Sequence, residues 1–257
     1  MGQIAGAMER SAKELIRLKE SLFWTIAWPS IWVVLFGVTF IRNQPHDVLP
    51  VLKGAVTVPM MVFALMIAGM SNLPATVSND RERGTLAKLM SMPVSPWRDF
   101  LGRVLGLLSF SALAVILVAL VGYATGARFG LSPADLPIVL GFLVVGFAAS
   151  AGIGTVIASL ITNVQGAIMT GVGLSVITAA MSGVMAPYSS LPAALQAFAR
   201  IYPISSVNSS IIYILFGVDY AGYKPITIGQ VATTIAASVA ILTIGIVLYS
   251  RVAWRRR

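Results

Sequence analysis

Long apolar runs separated by short polar breaks set the pattern of this chain. Stretches free of Asp, Glu, Lys and Arg cover residues 22–41, 54–79, 104–127, 136–199, 201–218 and 225–250. A helix needs roughly 20 apolar residues to cross a bilayer core. The run 136–199 is too long for one crossing and must fold back on itself. Thr162, Asn163, Val164 and Gln165 form its polar break before Pro187 and read as a tight turn. The pattern therefore predicts spans over 22–41, 54–78, 101–125, 136–161, 166–186 and 226–250.

Residues 187–225 follow a different pattern. Leu191, Leu195 and Phe198 fall at i, i+4 and i+7, an amphipathic helical spacing. Pro203, Ser205, Ser206, Asn208, Ser209 and Ser210 then make a poor lipid-facing surface. Broken helices are tolerated at membrane depth only where protein or a water-filled cavity surrounds them. The segment is expected to form two short re-entrant helices that dip into the outer leaflet and return.

Composition agrees with that picture. The 257 residues are 57% hydrophobic and only 11% charged, against about a quarter charged in soluble domains. So few charges cannot cover a water-soluble enzyme, and so apolar a chain does not stay disordered. The absence of Cys removes disulfides and thiolate chemistry, and a single His excludes a His-cluster metal site.

The net charge of +9 is distributed with a bias. Six crossings place both termini on one side. That side then holds Arg10, Lys13, Arg17, Lys19, Arg81, Arg83, Lys88, Arg98, Arg103, Arg251, Arg255, Arg256 and Arg257, most of the 18 basic residues. Arg42, Lys53, Arg128, Arg200 and Lys224 fall opposite. Lys/Arg excess marks the cytoplasmic side, so both termini are expected in the cytoplasm of a cell with this chain in its plasma membrane. A seventh crossing would put the Arg-rich tail outside. The charges border apolar runs, which indicates a lipid bilayer rather than nucleic acid as partner. Residues 1–21 read as an amphipathic interface helix on the cytoplasmic surface, with Ile4, Met8, Leu15, Leu18 and Leu22 near one face, and not as a signal peptide. The expected fold is an all-α polytopic membrane protein of one domain.

Catalytic chemistry is sparse. No G-x-x-x-x-G-K-[ST] loop is present, so the chain is not itself a P-loop ATPase. Ser150 and Ser182 have no base close in the topology, since His46 lies in the first outer loop. The nine acidic residues all fall in loops or at span ends, whereas ion-driven carriers usually keep an ionisable group inside the membrane. A lipid-modifying membrane enzyme and an ion-coupled secondary carrier remain the alternatives to a subunit without enzymatic activity. Gly146, Ser150 and Gly154 repeat at four-residue spacing, a pattern that lets membrane helices pack closely. Trp24, Trp28 and Trp32 share a face of the first span; Trp24 suits an interfacial belt, and the deeper two suit packing.

The segment 79–98 carries the most information. Asp80, Arg81, Glu82 and Arg83 come first, Gly84 permits a turn, and Thr85 follows. Leu86, Leu89 and Met90 then take i, i+3 and i+4 places, and Pro93 and Pro96 stop the helix. A short helix with an apolar face and charged flanks is suited to a groove on another protein. Arg81, Glu82 and Arg83 would add charge-assisted contacts, while exposed pairs contribute only about 0–1 kcal/mol each, leaving Leu86, Leu89 and Met90 to provide more of the docking.

The run Asp80-Arg81-Glu82-Arg83-Gly84-Thr85-Leu86, followed by Pro93-Val94-Ser95 and Phe100-Leu101-Gly102-Arg103, resembles the signature loop of the ABC type-2 permease family, whose members serve drug-resistance, polysaccharide and nodulation-factor export. Ala199-Arg200-Ile201-Tyr202-Pro203 is similar to the Asn-Pro or Tyr-Pro element after that family's fifth span. The resemblance implies a permease subunit that pairs with a second copy or a sister permease. Each subunit would dock on an ABC ATPase made by another chain, two copies in all, which would carry ATP and Mg while this chain holds no cofactor. Residues 80–90 would be the coupling helix, residues 4–20 would lie beside it, and Leu191, Phe198, Tyr202 and Pro203 would belong to the outer gate. The family often places charges after the Tyr-Pro element. Here Ser205 to Ser210 are uncharged, which suits an amphipathic or lipid-like cargo over one held by a charged gate.

Overall fold

The computed structural model describes residues 6, 8, 9, 19–39, 44–91 and 95–253. Most of the expected interface helix over 1–21, together with Arg42, Pro93 and Arg255 to Arg257, lies outside them. Among the described residues every regular element is helical. The main ones, in chain order, are α1 (Phe23–Thr39) and α2 (Leu49–Glu82), α3 (Thr85–Met90), α4 (Pro96–Ala124), α5 (Leu136–Leu160) and α6 (Val164–Met181). Then follow α7 (Ala193–Ile201), α8 (Pro203–Phe216), α9 (Val218–Ala221) and α10 (Ile228–Leu248). Five of them, α2, α4, α5, α6 and α10, are long and apolar enough to cross a membrane, and α1 and α8 are shorter apolar helices. The protein is an all-α polytopic membrane protein.

Several boundaries move from their expected places, each for a physical reason. Helix α2 continues through Asp80, Arg81 and Glu82 instead of ending at 78, because nothing breaks it before Gly84, which takes a left-handed φ of 68°. Pro96 starts α4 rather than stopping a helix. A proline costs nothing in the first turn, where its missing N–H would have had no partner. Val164 and Gln165 belong to α6, and the turn narrows to residues 161–163. The Asn163 side chain caps α6 by accepting from the Gly166 N–H at 2.6 Å. Asn163→Ala is expected to cost about 0.5–2 kcal/mol, readable as a lower midpoint in thermal unfolding; an unchanged midpoint would remove the cap from the account.

Two of the three π-helical turns among the described residues lie in α1 and α2, at Phe23–Ala27 and Ala68–Asn72. Each is followed two residues later by a proline, Pro29 and Pro74. A proline ring crowds the carbonyl four residues back and donates no hydrogen bond to it, and a locally widened helix accommodates both effects. Pro59 sits in regular helix, so proline alone does not impose the turn; at 68–72 the packing described below also favours it.

Helix α2 occupies the middle of the bundle. Phe63, Met66, Ile67 and Met70 are fully buried there, with Leu107 of α4, Phe147 of α5, and Ile204 and Ile211 of α8. Helix α10 instead exposes Ile235, Val239, Ile244 and Val247, a face that only lipid or another apolar surface can cover stably. The serine-rich start of α8 is inside: Ser205, Ser206, Asn208, Ser209 and Ser210 are all buried, where protein partners satisfy most of their polar atoms.

Candidate functional site

At the end of the bundle that carries α3, three helices meet through buried charge. Asp80, Asp99 and Arg103 are each no more than 2% exposed. Arg103 Nε donates to Asp99 Oδ2 at 2.7 Å, and its Nη2 donates to Asp80 Oδ2. Tyr249, in the π-helical turn Tyr249–Ala253 that follows α10, donates from its hydroxyl to the same Asp99 oxygen at 3.3 Å. Its ring packs 5.6 Å from that of Phe100. The arrangement ties the end of α2 to the start of α4 and to the tail of α10.

The neighbouring residues clasp the turn between α5 and α6. Arg81 Nη1 and Ser78 Oγ both donate to the Ile161 carbonyl, at 3.1 and 3.2 Å. Glu82 Oε1 accepts from the Val164 N–H at 2.9 Å, which places a carboxylate at the N-terminus of α6, where the helix dipole favours it.

These placements revise the expected docking surface. Asp80 is buried and Leu86 is 3% exposed, packed into its own protein; half-buried Arg81 and exposed Glu82 hydrogen-bond to the α5–α6 turn. Arg83, Gly84, Ala87 and Lys88 are exposed, while Thr85 and Leu89 are half-buried; Met90 ends the helix. The partners of residues 80–82 lie up to 82 positions away in the chain, so these contacts leave no local pattern. The parts played by Asp99 and Tyr249, and the partners of Arg103, were likewise not foreseen. The i, i+4 spacing of Asp99 and Arg103 was the one available signal.

In the middle of the membrane span, backbone meets backbone. All five residues of the turn Ala68–Asn72 are buried. A Cβ on Gly154 would lie 1.9 Å from the Gly69 carbonyl oxygen, and one on Gly171 would lie 2.2 Å from that of Met70. Helices α5 and α6 thus both close on the widened turn of α2. Ser150 Cβ stands 2.5 Å from where a Cβ of Gly69 would be, and Gly146 faces Val207 of α8. On the other side of α5, Gly152 meets the backbone of α10 at Ile241 and Leu242. Side chains add to the crossing: Ser71 Oγ donates to the Ile168 carbonyl at 3.2 Å, and Asn72 Nδ2 donates to Thr25 Oγ1, in the π-helical turn of α1, at 2.8 Å.

At the opposite end, α7 and α8 form a folded-back unit. Arg200 Nε donates to the Tyr188 hydroxyl at 2.7 Å, and its guanidinium lies 5.8 and 5.2 Å from the Tyr188 and Tyr223 ring centres. Burial raises the Tyr223 phenol above its usual range, so Arg200 meets a neutral ring there and the attraction is cation–π. Burial likewise pushes Tyr202 up to about 12. Gln230 of α10 donates to the Arg200 carbonyl and to Ser206 Oγ, and Ser206 shares a 2.7 Å hydrogen bond with Thr234. Of the expected gate residues, Leu191, Tyr202 and Pro203 are buried, and Phe198 stacks on Tyr202 at 5.2 Å. They hold the unit together. A cavity of about 420 Å³ lies beside it, walled by α1, the first half of α2, residues 183–189, α8 and α9, and none of those four residues lines it.

Membrane-length helices around a buried central span, with a charged knot at one end and a folded-back helix pair at the other, define a polytopic membrane protein. Residues 2–216 match the family model described as ABC-2 type transporter. The chain belongs to that family and is a multi-pass membrane subunit of an ABC transporter. No curated protein matches it.

Proposed function

We propose that this chain forms the translocation pathway of an exporter driven by ATP hydrolysis on a separate ATPase subunit, with α3 as the coupling element. The observation that supports this most is the junction of α3 with the bundle. The short helix Thr85–Met90 follows directly on α2, and α2 is bound at its last turns to α4 and α10 through Asp80, Arg103, Asp99 and Tyr249 and to the α5–α6 turn through Arg81 and Glu82. A push on α3 is therefore carried through α2 into four further spans at once. The exposed Arg83 and Lys88 are the charged contacts for the ATPase groove, with Leu89 and Met90 completing the apolar part. Leu86 roots the helix in its own subunit.

In this reading two copies of the permease, or one with a sister permease, pair in the plasma membrane, with both termini cytoplasmic and two ATPase copies binding ATP and Mg. The α7–α8 unit, held by Leu191, Phe198, Tyr202 and Pro203, moves as one piece to open the outer end. The cargo is amphipathic, in keeping with an uncharged serine-rich segment in place of a charged gate.

Co-expression with a cognate ABC ATPase tests the coupling. Cysteine at Lys88 is expected to cross-link to the ATPase, and Lys88→Glu with Arg83→Glu is expected to abolish cargo-stimulated ATP hydrolysis while leaving the fold intact. Full stimulation in that double variant, or labelling of the Lys88→Cys thiol from outside intact cells, would defeat the reading.

A further inference from the structure

The cavity beside the re-entrant unit carries features that packing does not explain. Its volume, about 420 Å³, falls within the range of small-molecule sites. Leu52, Val56 and Met60 of α2 and Val184 and Ile212 opposite make most of the wall apolar. Into this wall Asn208 contributes a side chain only 1% exposed. Its Nδ2 donates to the Gly183 carbonyl at 3.2 Å, while its Oδ1 is buried and has no hydrogen-bond partner among the described residues. A buried carbonyl oxygen left without a donor costs about 1–3 kcal/mol. One carboxylate, Asp219, also lines the cavity and is exposed. No basic side chain lines it among the described residues: Arg200 is turned onto Tyr188 and Tyr223, and Lys53 Nζ donates to the Thr125 carbonyl at 2.7 Å.

We propose that this cavity binds an amphiphilic amine within a single subunit. Its apolar body lies against α2, a hydrogen-bond donor on that body meets Asn208 Oδ1, and its ammonium group meets Asp219 at the solvent side. The complementarity is specific in sign. An acceptor group would leave Asn208 Oδ1 unsatisfied, and an anion would face Asp219 with no cation among the described lining residues to offset it. The amine has two possible sources, an aminolipid of the surrounding leaflet or a foreign amphiphile. The inference deepens the export reading, since a ligand held beside the re-entrant unit stands where cargo would leave. Binding needs no ATPase, however, so it stands or falls separately from the coupling through α3.

The test uses the full chain in phosphatidylcholine nanodiscs with propranolol, an apolar aromatic carrying a hydroxyl donor and an amine, and its uncharged N-acetyl derivative. Empty nanodiscs correct for partitioning into lipid. Asp219→Asn, on an exposed residue, is expected to weaken propranolol binding about three- to fivefold and to leave the N-acetyl derivative unaffected. Asn208→Leu is expected to weaken both at least about tenfold, and Ala55→Phe, which fills the cavity from α2, to abolish both. Nanodiscs containing phosphatidylethanolamine separate the sources: competition with propranolol assigns the site to an aminolipid, and undiminished binding assigns it to a foreign amine. Propranolol binding that survives both Ala55→Phe and Asp219→Asn unchanged overturns the proposal, as does equal affinity for naphthoxyacetate, the anionic counterpart.

Discussion

Arg103→Met is expected to destabilise the protein by about 3–5 kcal/mol, the loss that follows when one partner of a buried ion pair is removed and the rest stay behind. Arg103 is 1% exposed and is the cation between Asp80 and Asp99. Without it two like charges remain buried where water cannot solvate them, and their repulsion pushes apart the ends of α2 and α4 that meet there. Arg103→Lys should recover only part of the loss. A lysine offers one compact ammonium, whereas the guanidinium addresses the two carboxylates from Nε and Nη2 at once. The triple change Asp80→Asn, Asp99→Asn and Arg103→Met should be milder than Arg103→Met alone, because no uncompensated charge is left. Thermal unfolding of the purified protein in detergent decides the matter. If Arg103→Met melts with the parent protein, the knot does not hold this end of the bundle, and the transmission route from α3 into α4 and α10 loses its basis.

Gly154→Ala should cost several kcal/mol, the largest effect expected from a single added methyl group. The new Cβ would sit 1.9 Å from a backbone oxygen of the widened turn in α2, and a carbonyl held within a helix cannot rotate away as a side-chain tip can. Overpacking of this kind typically costs about 1–3 kcal/mol where side chains can yield; here α5 or α2 must shift as a unit. Gly171→Ala should behave in the same way, at 2.2 Å from the Met70 carbonyl. Two glycines on the same helices supply the controls. Gly141 on α5 and Gly173 on α6 have nothing within 4 Å of an added Cβ, so alanine there should be neutral or slightly stabilising through its better helix propensity. The four variants form a matched set in one unfolding assay. Equal midpoints for Gly171→Ala and Gly173→Ala would mean that α6 does not close on the turn. Transport assays on the surviving variants would show whether the crossing must also move.

The candidate site was legible in parts. The charge-rich segment after the second span, its short helix, the pair of short helices over 193–216 and the family resemblance all came from composition, spacing and motif. The orientation of the charged side chains did not. Of the residues read as an outward docking surface, Asp80 and Leu86 are buried in their own chain, and half-buried Arg81 and exposed Glu82 also hydrogen-bond to the α5–α6 turn. A local pattern records that a residue is charged, and gives no sign of a partner brought in from Ile161, Val164, Asp99 or Arg103. The cavity was not legible at all, because Asn208 reads as one more polar residue in a serine-rich run and Asp219 as a loop acid.

The amino-acid sequence by itself determined that this protein is helical and lives in a bilayer, since apolar runs of membrane length can satisfy their backbone there only as helices. It also carried the family and the placement of basic residues at the ends of spans. Only the tertiary structure decided which charges are spent internally, where α2 widens, which glycines are indispensable and where a cavity remains. Those properties depend on distances between segments far apart in the chain, and no periodicity along one segment encodes them.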